Sequence, residues 1–261
     1  MMPIDFRDPA NRHVYSGRDA SKEWRSCIAS ICDPAGLRAV EIGCGGGIYT
    51  RALSEMGATS VNGIDNSEPM LATAREANRD LVGVTFKQGS ADNIPLPADS
   101  ADLILARGLI HHLPTLDDFA AECARILATG GTALIQDRTI EDTRQPAGVD
   151  NIRGYFFECF PRLRAYDSTR RWSDESVRSA LSGAGLSGIT ATSIDETRAI
   201  HASPAALADQ LRARSGRSIL HELTDNEIEA LIAYILARLP AEGEVVERDR
   251  WTIWSATLAL Q

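Results

Sequence analysis

The chain has 261 residues, 44% of them hydrophobic, enough to bury one sizeable core or a core carrying a smaller lid. Its net charge of −9 and pI near 5.1 oppose general attraction to a polyanion, so nucleic acid is not an expected partner. The polar opening MMPIDFRDPANRHVYSGRD and the lack of any long apolar run predict a cytoplasmic protein with no membrane partner.

In residues 20–32, Trp24, Cys27, Ile28 and Ile31 recur at helical spacing before Asp33, Pro34 and Gly36 break the pattern. LRAVEIG (37–43) is a short apolar run that ends in glycines, and IYTRALSEM (48–56) follows with Ile48, Leu53 and Met56 on one helical face. The unit repeats as strand 60–65 and helix 67–79, where Ser67 is a cap and Pro69 lies in the first turn. Strands are predicted at 84–90, 101–108 and 132–137, with a helix at 116–128 stopped by Gly130 and Gly131.

Beyond 138 the alternation loosens into an arginine- and aromatic-rich stretch ending near Trp172. Ser173 then starts a helix, 188–200 reads as a strand, 204–214 and 224–238 as helices, and 250–260 as a last strand. Strands alternating with helices predict an α/β fold: a Rossmann-like, doubly wound, mostly parallel seven-stranded sheet with helices on both faces and inserted helical lid segments. The predicted organisation is one domain over 1–261, with a helical cover at 1–36, a ligand-binding core at 37–137, and caps at 138–172 and 201–240.

In VEIGCGGG (40–47), Gly43, Gly45, Gly46 and Gly47 let the backbone approach a ligand with no Cβ in the way. A dinucleotide fingerprint requires glycine three positions after Gly45; that position is Ile48, which weakens a nicotinamide-cofactor oxidoreductase reading. Asp65, twenty residues after Gly45 at the end of the second strand, is placed to accept bonds from ribose hydroxyls. Asp92, just beyond the third strand, is placed to accept one from an adenine amino group. Taken singly, the glycines read equally as a tight turn, Asp65 as a helix cap and Asp92 as a loop acid.

The order VEIGCGGG, GIDNSEPML, GSADNIPLPADSADLIL, HHL and CARILATGG resembles the class I S-adenosylmethionine-dependent methyltransferases, in the small-molecule group that includes ubiquinone and menaquinone biosynthesis enzymes. The resemblance covers roughly residues 37–137. It departs at Cys44, in a variable position of the turn, and at ATGG (128–131), which lacks a proline before the paired glycines.

That resemblance implies S-adenosylmethionine as cofactor and S-adenosylhomocysteine as product. By position, Gly43, Cys44 and Gly45 would cradle the methionine part, Glu41 would organise its amino end, and the Arg107 backbone would approach it. Asp65 would hold the ribose, Asn66 and Met70 would line the adenosine, and Ala91, Asp92 and Asn93 would meet the adenine. Tyr15 and Arg18 are expected to fold over the cofactor, as N-terminal segments of similar enzymes do.

Methyl transfer from a sulfonium is an in-line displacement, so the protein aligns the reactants, excludes water and removes a proton where the acceptor carries one. His111 and His112 follow the fourth strand, and imidazole titrates close to neutral pH, which suits a general base; packing the turn before Pro114 is the competing role. The arginines and rings of 153–172 suit an anionic or aromatic acceptor, or equally a packed helix under solvated arginines.

Five cysteines without a CxxC pair read as reduced structural thiols, and no metal site is expected. The expected assembly is a monomer or homodimer acting on a small molecule. A regulatory binding protein without transfer activity and a methyltransferase acting on a macromolecule are the alternatives.

Overall fold

The structure, a computed structural model, describes residues 19–214 and 216–259. These divide into two compact units: one comprises 19–137, 172–194 and 252–259, the other Arg138–Arg171 and Asp195–Trp251.

The first unit starts with α1 (Lys22–Ile31), where the Ser21 hydroxyl caps the helix by accepting the Trp24 amide. Then follow β1 (Arg38–Ile42), α2 (Ile48–Glu55), β2 (Ser60–Asp65), α3 (Glu68–Ala77), β3 (Val84–Gln88), β4 (Ala101–Arg107), α4 (Asp117–Ile126) and β5 (Leu127–Asp137). The second unit takes α5 (Ile140–Thr143), α6 (Ile152–Cys159) and α7 (Arg162–Ser168). After α8 (Asp174–Gly183), which belongs to the first unit, come β6 (Leu186–His201), α9 (Pro204–Arg212), α10 (Asp225–Leu236) and β7 (Val245–Leu258).

The seven strands lie in the order β3-β2-β1-β4-β5-β7-β6. Neighbours from β3 to β5 pair in parallel, and β7 runs antiparallel to β5, with Thr132 opposite Thr257 and Asp137 opposite Thr252. The expected doubly wound, Rossmann-like sheet is present. Strand order reverses direction at β1, which has β2 on one side and β4 on the other; in open α/β sheets that is where the crevice for a ligand opens.

The core of this unit explains the helix positions. In α4, Phe119, Ala120, Cys123 and Ile126 recur at the period of one helical face and pack with Val40, Ile104 and Ile135 of the strands. Trp24 of α1 is wholly buried, and its indole N–H donates to the Gln136 side chain at 2.8 Å, so the leading helix is tied to the end of β5. Trp254 of β7 is equally buried and donates to Asp174 at 2.7 Å, tying the last strand to the start of α8.

Two strands start five residues earlier than expected. β5 starts at Leu127, before the paired glycines: Leu127 pairs with Ala101 and Thr132 with Leu103, so the sheet absorbs the extra residues as an irregularity, with Gly130 at φ +81°. β7 starts at Val245, five residues before the expected 250. Its inward positions there are Glu247 and Asp249, both buried, so the alternation that marks a strand is carried by acids instead of apolar side chains.

Those acids organise the second unit, whose apolar core is built by Ile152, Phe156, Leu207, Leu220, Leu231 and Ile235. Glu247 accepts from Arg217 at 2.6 Å, with Arg198 at 3.2 Å and the His201 ring at 3.3 Å. Asp249 pairs with Arg138 and lies 3.6 Å from Arg198, and Asp167 is shared by Arg153 at 2.8 Å and Arg171 at 2.9 Å. Burial pushes each of these carboxyls up, but the facing guanidiniums outweigh it and hold Glu247, Asp167 and Asp249 below the usual carboxylate range.

Carboxyls depressed in the folded state contribute stability that is full above their unfolded values and is lost as pH falls. Acid titration followed by circular dichroism is expected to show stability falling below about pH 4, the unfolded carboxylate range. Glu247→Gln leaves Arg217 and Arg198 without their shared counter-charge and is expected to cost about 3–5 kcal/mol in denaturant unfolding at pH 7.

Candidate functional site

The glycine turn leaves β1 at Ile42 and enters α2 at Ile48. Gly43, Gly45 and Gly47 have φ of +76°, +50° and +78°, a left-handed backbone that L side chains rarely adopt. A Cβ on Gly47 would lie 2.6 Å from the Asn78 amide, whereas one on Gly46 would meet nothing within 4 Å. Part of the turn is therefore locked against α3, and part faces open space.

Asp65 holds this turn from the next strand. One carboxylate oxygen accepts the Gly45 amide at 2.8 Å, and the other accepts the Ser67 amide at 2.9 Å. The α3 cap itself is Ser67, and the two backbone bonds orient the Asp65 carboxylate and leave each oxygen with acceptor capacity. Burial raises the Asp65 carboxyl, opposed by the amides of Ser67, Gly45 and Asn66. Met70, buried in α3, brings its methyl group within 3.3 Å of a Cβ built on Gly45, while Asn66 is exposed beside it.

Beneath the turn, Glu41 is 2% exposed and accepts a short hydrogen bond from the Thr50 hydroxyl of α2. Burial pushes its carboxyl up to about 8; the Thr50 bonds and Arg107 oppose the rise and Asp65 adds to it. Arg107, at the end of β4, lies with its guanidinium 4.3 Å from the Tyr49 ring centroid, and Tyr49 stands edge-on to Trp24 at 4.7 Å. The sequence singled out the Arg107 backbone; its side chain is part of the electrostatics of Glu41 as well. Cys44 is buried and its thiol is pushed well above the ordinary value by that burial, which makes it a packing residue of the turn.

Ala91, Asp92 and Asn93 follow β3 in a loop that turns back on the sheet. Asn93 donates its amide to Ser90 at 3.1 Å, and a Cβ on Gly89 would lie 2.4 Å from Pro95, so the loop is closely wound against the end of β2. Ala91 packs partly on the core, and Asp92 and Asn93 are exposed. Tyr15 and Arg18 lie outside the described residues.

The two histidines separate. Both stand in one helical turn, Ile110–His112, which packs on the glycine turn: a Cβ on Gly43 would meet the Leu109 side chain at 3.0 Å. His112 is exposed. His111 is largely buried, with Nδ1 at 2.8 and 3.1 Å from the two oxygens of Asp137, a residue 1% exposed at the end of β5. The Trp172 indole donates to the Ile110 carbonyl at 2.8 Å and pins the turn. The two imidazole rings are 4.0 Å apart and tilted by 41°.

Thr50, Asp137 and Trp172 were not singled out from sequence. Asp137 had a readable signal, a carboxylate closing a predicted strand on the ligand side of the sheet; Thr50 and Trp172 had none. Among the described residues, no three His, Cys, Asp or Glu side chains group to hold a metal, and no helix is long and apolar enough to cross a membrane.

The residues present fit a nucleoside bearing an amino acid. An oriented carboxylate suits a ribose, Met70 offers an apolar flank, and a buried Glu41 that an arriving ammonium would ionise, with Arg107 near it, suits the amino-acid end.

Residues 40–135 match the family described as "Methyltransferase domain". A ubiquinone biosynthesis O-methyltransferase of Methylococcus capsulatus is 40% identical over 103 residues, 38% of this chain and 42% of that protein. Another, from Mesorhizobium japonicum, is 29% identical over 161 residues; the chain spans less than two thirds of the length of either relative. Among solved structures, a putative methyltransferase from an antibiotic biosynthesis pathway of Anabaena variabilis shares the fold with TM-score 0.67 at 20% identity, covering 92% of this chain and 99% of that one. A phosphoethanolamine N-methyltransferase 2 of Haemonchus contortus, solved with S-adenosylhomocysteine, matches with TM-score 0.62 at 20% identity over 98% of this chain and 61% of that one. The family match thus lies on the strands that build the glycine turn, and over residues 40–135 the chain is similar to the methyltransferase-domain family.

Proposed function

We propose that this chain transfers a methyl group from S-adenosylmethionine to a small-molecule acceptor, at oxygen, nitrogen or carbon, with S-adenosylhomocysteine as product. The observation that carries the reading is the Asp65 carboxylate, fixed by Gly45 and Ser67 beside an open glycine turn and above a buried Glu41. S-adenosylmethionine supplies the electrophilic methyl group; everything else falls to the chain's own residues.

Asp65 takes the ribose, Met70 and Asn66 flank the adenosine, and Ala91, Asp92 and Asn93 border the adenine. Gly43, Cys44 and Gly45 cradle the methionine part, with Glu41 serving its ammonium and Arg107 close by. Tyr15 and Arg18 complete the proposed cofactor set from sequence alone. Of the two histidines, His111, held by Asp137, is the better placed to remove a proton, and His112 is the more exposed.

The segments 138–172 and 201–240, outside the cofactor-binding strands, are left to choose the acceptor. Arg153 and Arg171 already share Asp167, Arg162 pairs with Glu227 and Arg164 lies over Phe157, so each of these guanidiniums already has a partner within its own unit. An aromatic acceptor draws more support from this composition than an anionic one. An acidic surface and relatives named for ubiquinone biosynthesis favour a metabolite over a macromolecule.

Isothermal calorimetry with S-adenosylhomocysteine is expected to give one site per chain. Asp65→Ala removes charge-assisted bonds worth about 1.5–3 kcal/mol, so affinity should fall roughly 10- to 150-fold. No binding to the wild-type protein, or unchanged binding by the variant, overturns the cofactor role.

Glu41 gives a second test, with the opposite sign to the acids of the second unit. Its folded value, about 8, lies above the ordinary 4.5, so its contribution to cofactor-free stability declines as pH rises between those values. Glu41→Gln should therefore flatten the fall in melting temperature from pH 5 to pH 8. An ammonium arriving beside Glu41 favours its ionised form, so wild-type binding of S-adenosylhomocysteine at pH 7 should release a proton, measured as a buffer-dependent enthalpy that the variant lacks.

A further inference from the structure

We propose that Asp137 is a positioning residue that fixes His111 with its proton on Nδ1 and its lone pair on Nε2, and that the acceptor is accordingly one that carries a proton, a hydroxyl or an N–H. This rests on the methyl-transfer reading above. A carboxylate accepts hydrogen bonds only, so an Nδ1 at 2.8 Å from one Asp137 oxygen and 3.1 Å from the other must carry hydrogen. In neutral imidazole the remaining nitrogen, Nε2, is then the acceptor.

Three further features fix the ring as well as its tautomer. The His111 backbone amide points at the same Asp137 oxygen at 3.3 Å, so main chain and side chain are gripped together. Asp137 is 1% exposed and paired within β5 and β7 through the register Asp137 to Thr252, so the carboxylate is carried on the rigid part of the sheet. Trp172 holds the Ile110 carbonyl from the other side of the turn. His112, one residue on, is exposed, with its ring centroid 4.0 Å from that of His111.

A buried carboxylate behind an imidazole is useful when the imidazole becomes positive. As the acceptor oxygen or nitrogen forms its bond to the methyl carbon, the carbon–sulfur bond breaks and its electron pair stays on sulfur, which becomes a neutral thioether. The acceptor's proton passes to Nε2 of His111, and the positive charge lost from sulfur reappears as imidazolium facing Asp137. Charge and atoms balance with no further reactant. A tertiary amine, having no proton to surrender, would make no use of this pair.

The tautomer is measurable without knowing the acceptor. In protein labelled with ¹⁵N-histidine, long-range proton–nitrogen spectra above the imidazole titration should show His111 with a pyrrole-type Nδ1 and a pyridine-type Nε2. Asp137→Ala should shift His111 towards Nε2–H, while His112→Ala should leave it unchanged. A wild-type His111 protonated on Nε2, or a tautomer that Asp137→Ala does not move, overturns the proposal; the wild-type spectrum needs no variant to fold. Asp137→Ala should also bind S-adenosylhomocysteine as tightly as wild type, so loss of cofactor binding by the wild-type protein counts against the function and not against the tautomer. With a panel of phenols, primary amines and tertiary amines, His111→Gln should lower turnover of the proton-bearing acceptors about 10²- to 10⁴-fold. Preferred turnover of the tertiary amines overturns the assignment of acceptor class.

Discussion

The hydrogen bond from the Gly45 amide to Asp65 joins the ends of the two strands on which the proposed cofactor site depends. β1 and β2 are neighbours in the sheet, and just beyond β1 the Gly43 and Cys44 amides both donate to the Ile64 carbonyl, at 2.8 and 3.0 Å, while the next bond across, to the Gly45 amide, falls to a side chain. Asp65 makes that bond and, through its second oxygen, also fixes the Ser67 amide at the entry to α3. One carboxylate thereby sets the glycine turn, the start of α3 and, with it, Met70. A ligand that bonds to Asp65 meets an acceptor whose orientation has already been chosen, so little ordering remains to be done on binding.

The two units use charge in contrasting ways. In the first, Glu41 is buried with a hydroxyl and only indirect help from Arg107, so it resists ionisation. In the second, Glu247 is just as buried but is gripped by Arg217 and Arg198, so it resists protonation. The difference lies in the partners rather than the depth. A carboxyl left poised near neutrality suits a site that receives a cation, whereas one saturated with guanidiniums suits a scaffold.

What could be read from the sequence follows from how local each signal was. The glycine turn, Asp65 and the Ser67 cap are encoded within thirty residues, in patterns set by backbone geometry, and they stand where expected. The early start of β7 was hidden because Glu247 and Asp249 occupy inward positions that normally advertise themselves by being apolar. The His111–Asp137 pair was hidden for a different reason: its members are 26 residues apart and meet only because β4 and β5 are adjacent in the sheet. Histidines alone gave two equal candidates, and only a third residue distinguishes them.

Trp172 has a consequence of another kind. Its indole N–H is bonded to the carbonyl immediately before His111, while Trp24 and Trp254 are sealed in the core. Indole emission responds to hydrogen bonding and to nearby charge, so of these three tryptophans this partly buried one is wired to the turn that bears the histidines. The chain carries its own optical reporter there, and a protein retaining Trp172 as its single tryptophan would reveal rearrangements of that turn in real time, with no dye attached.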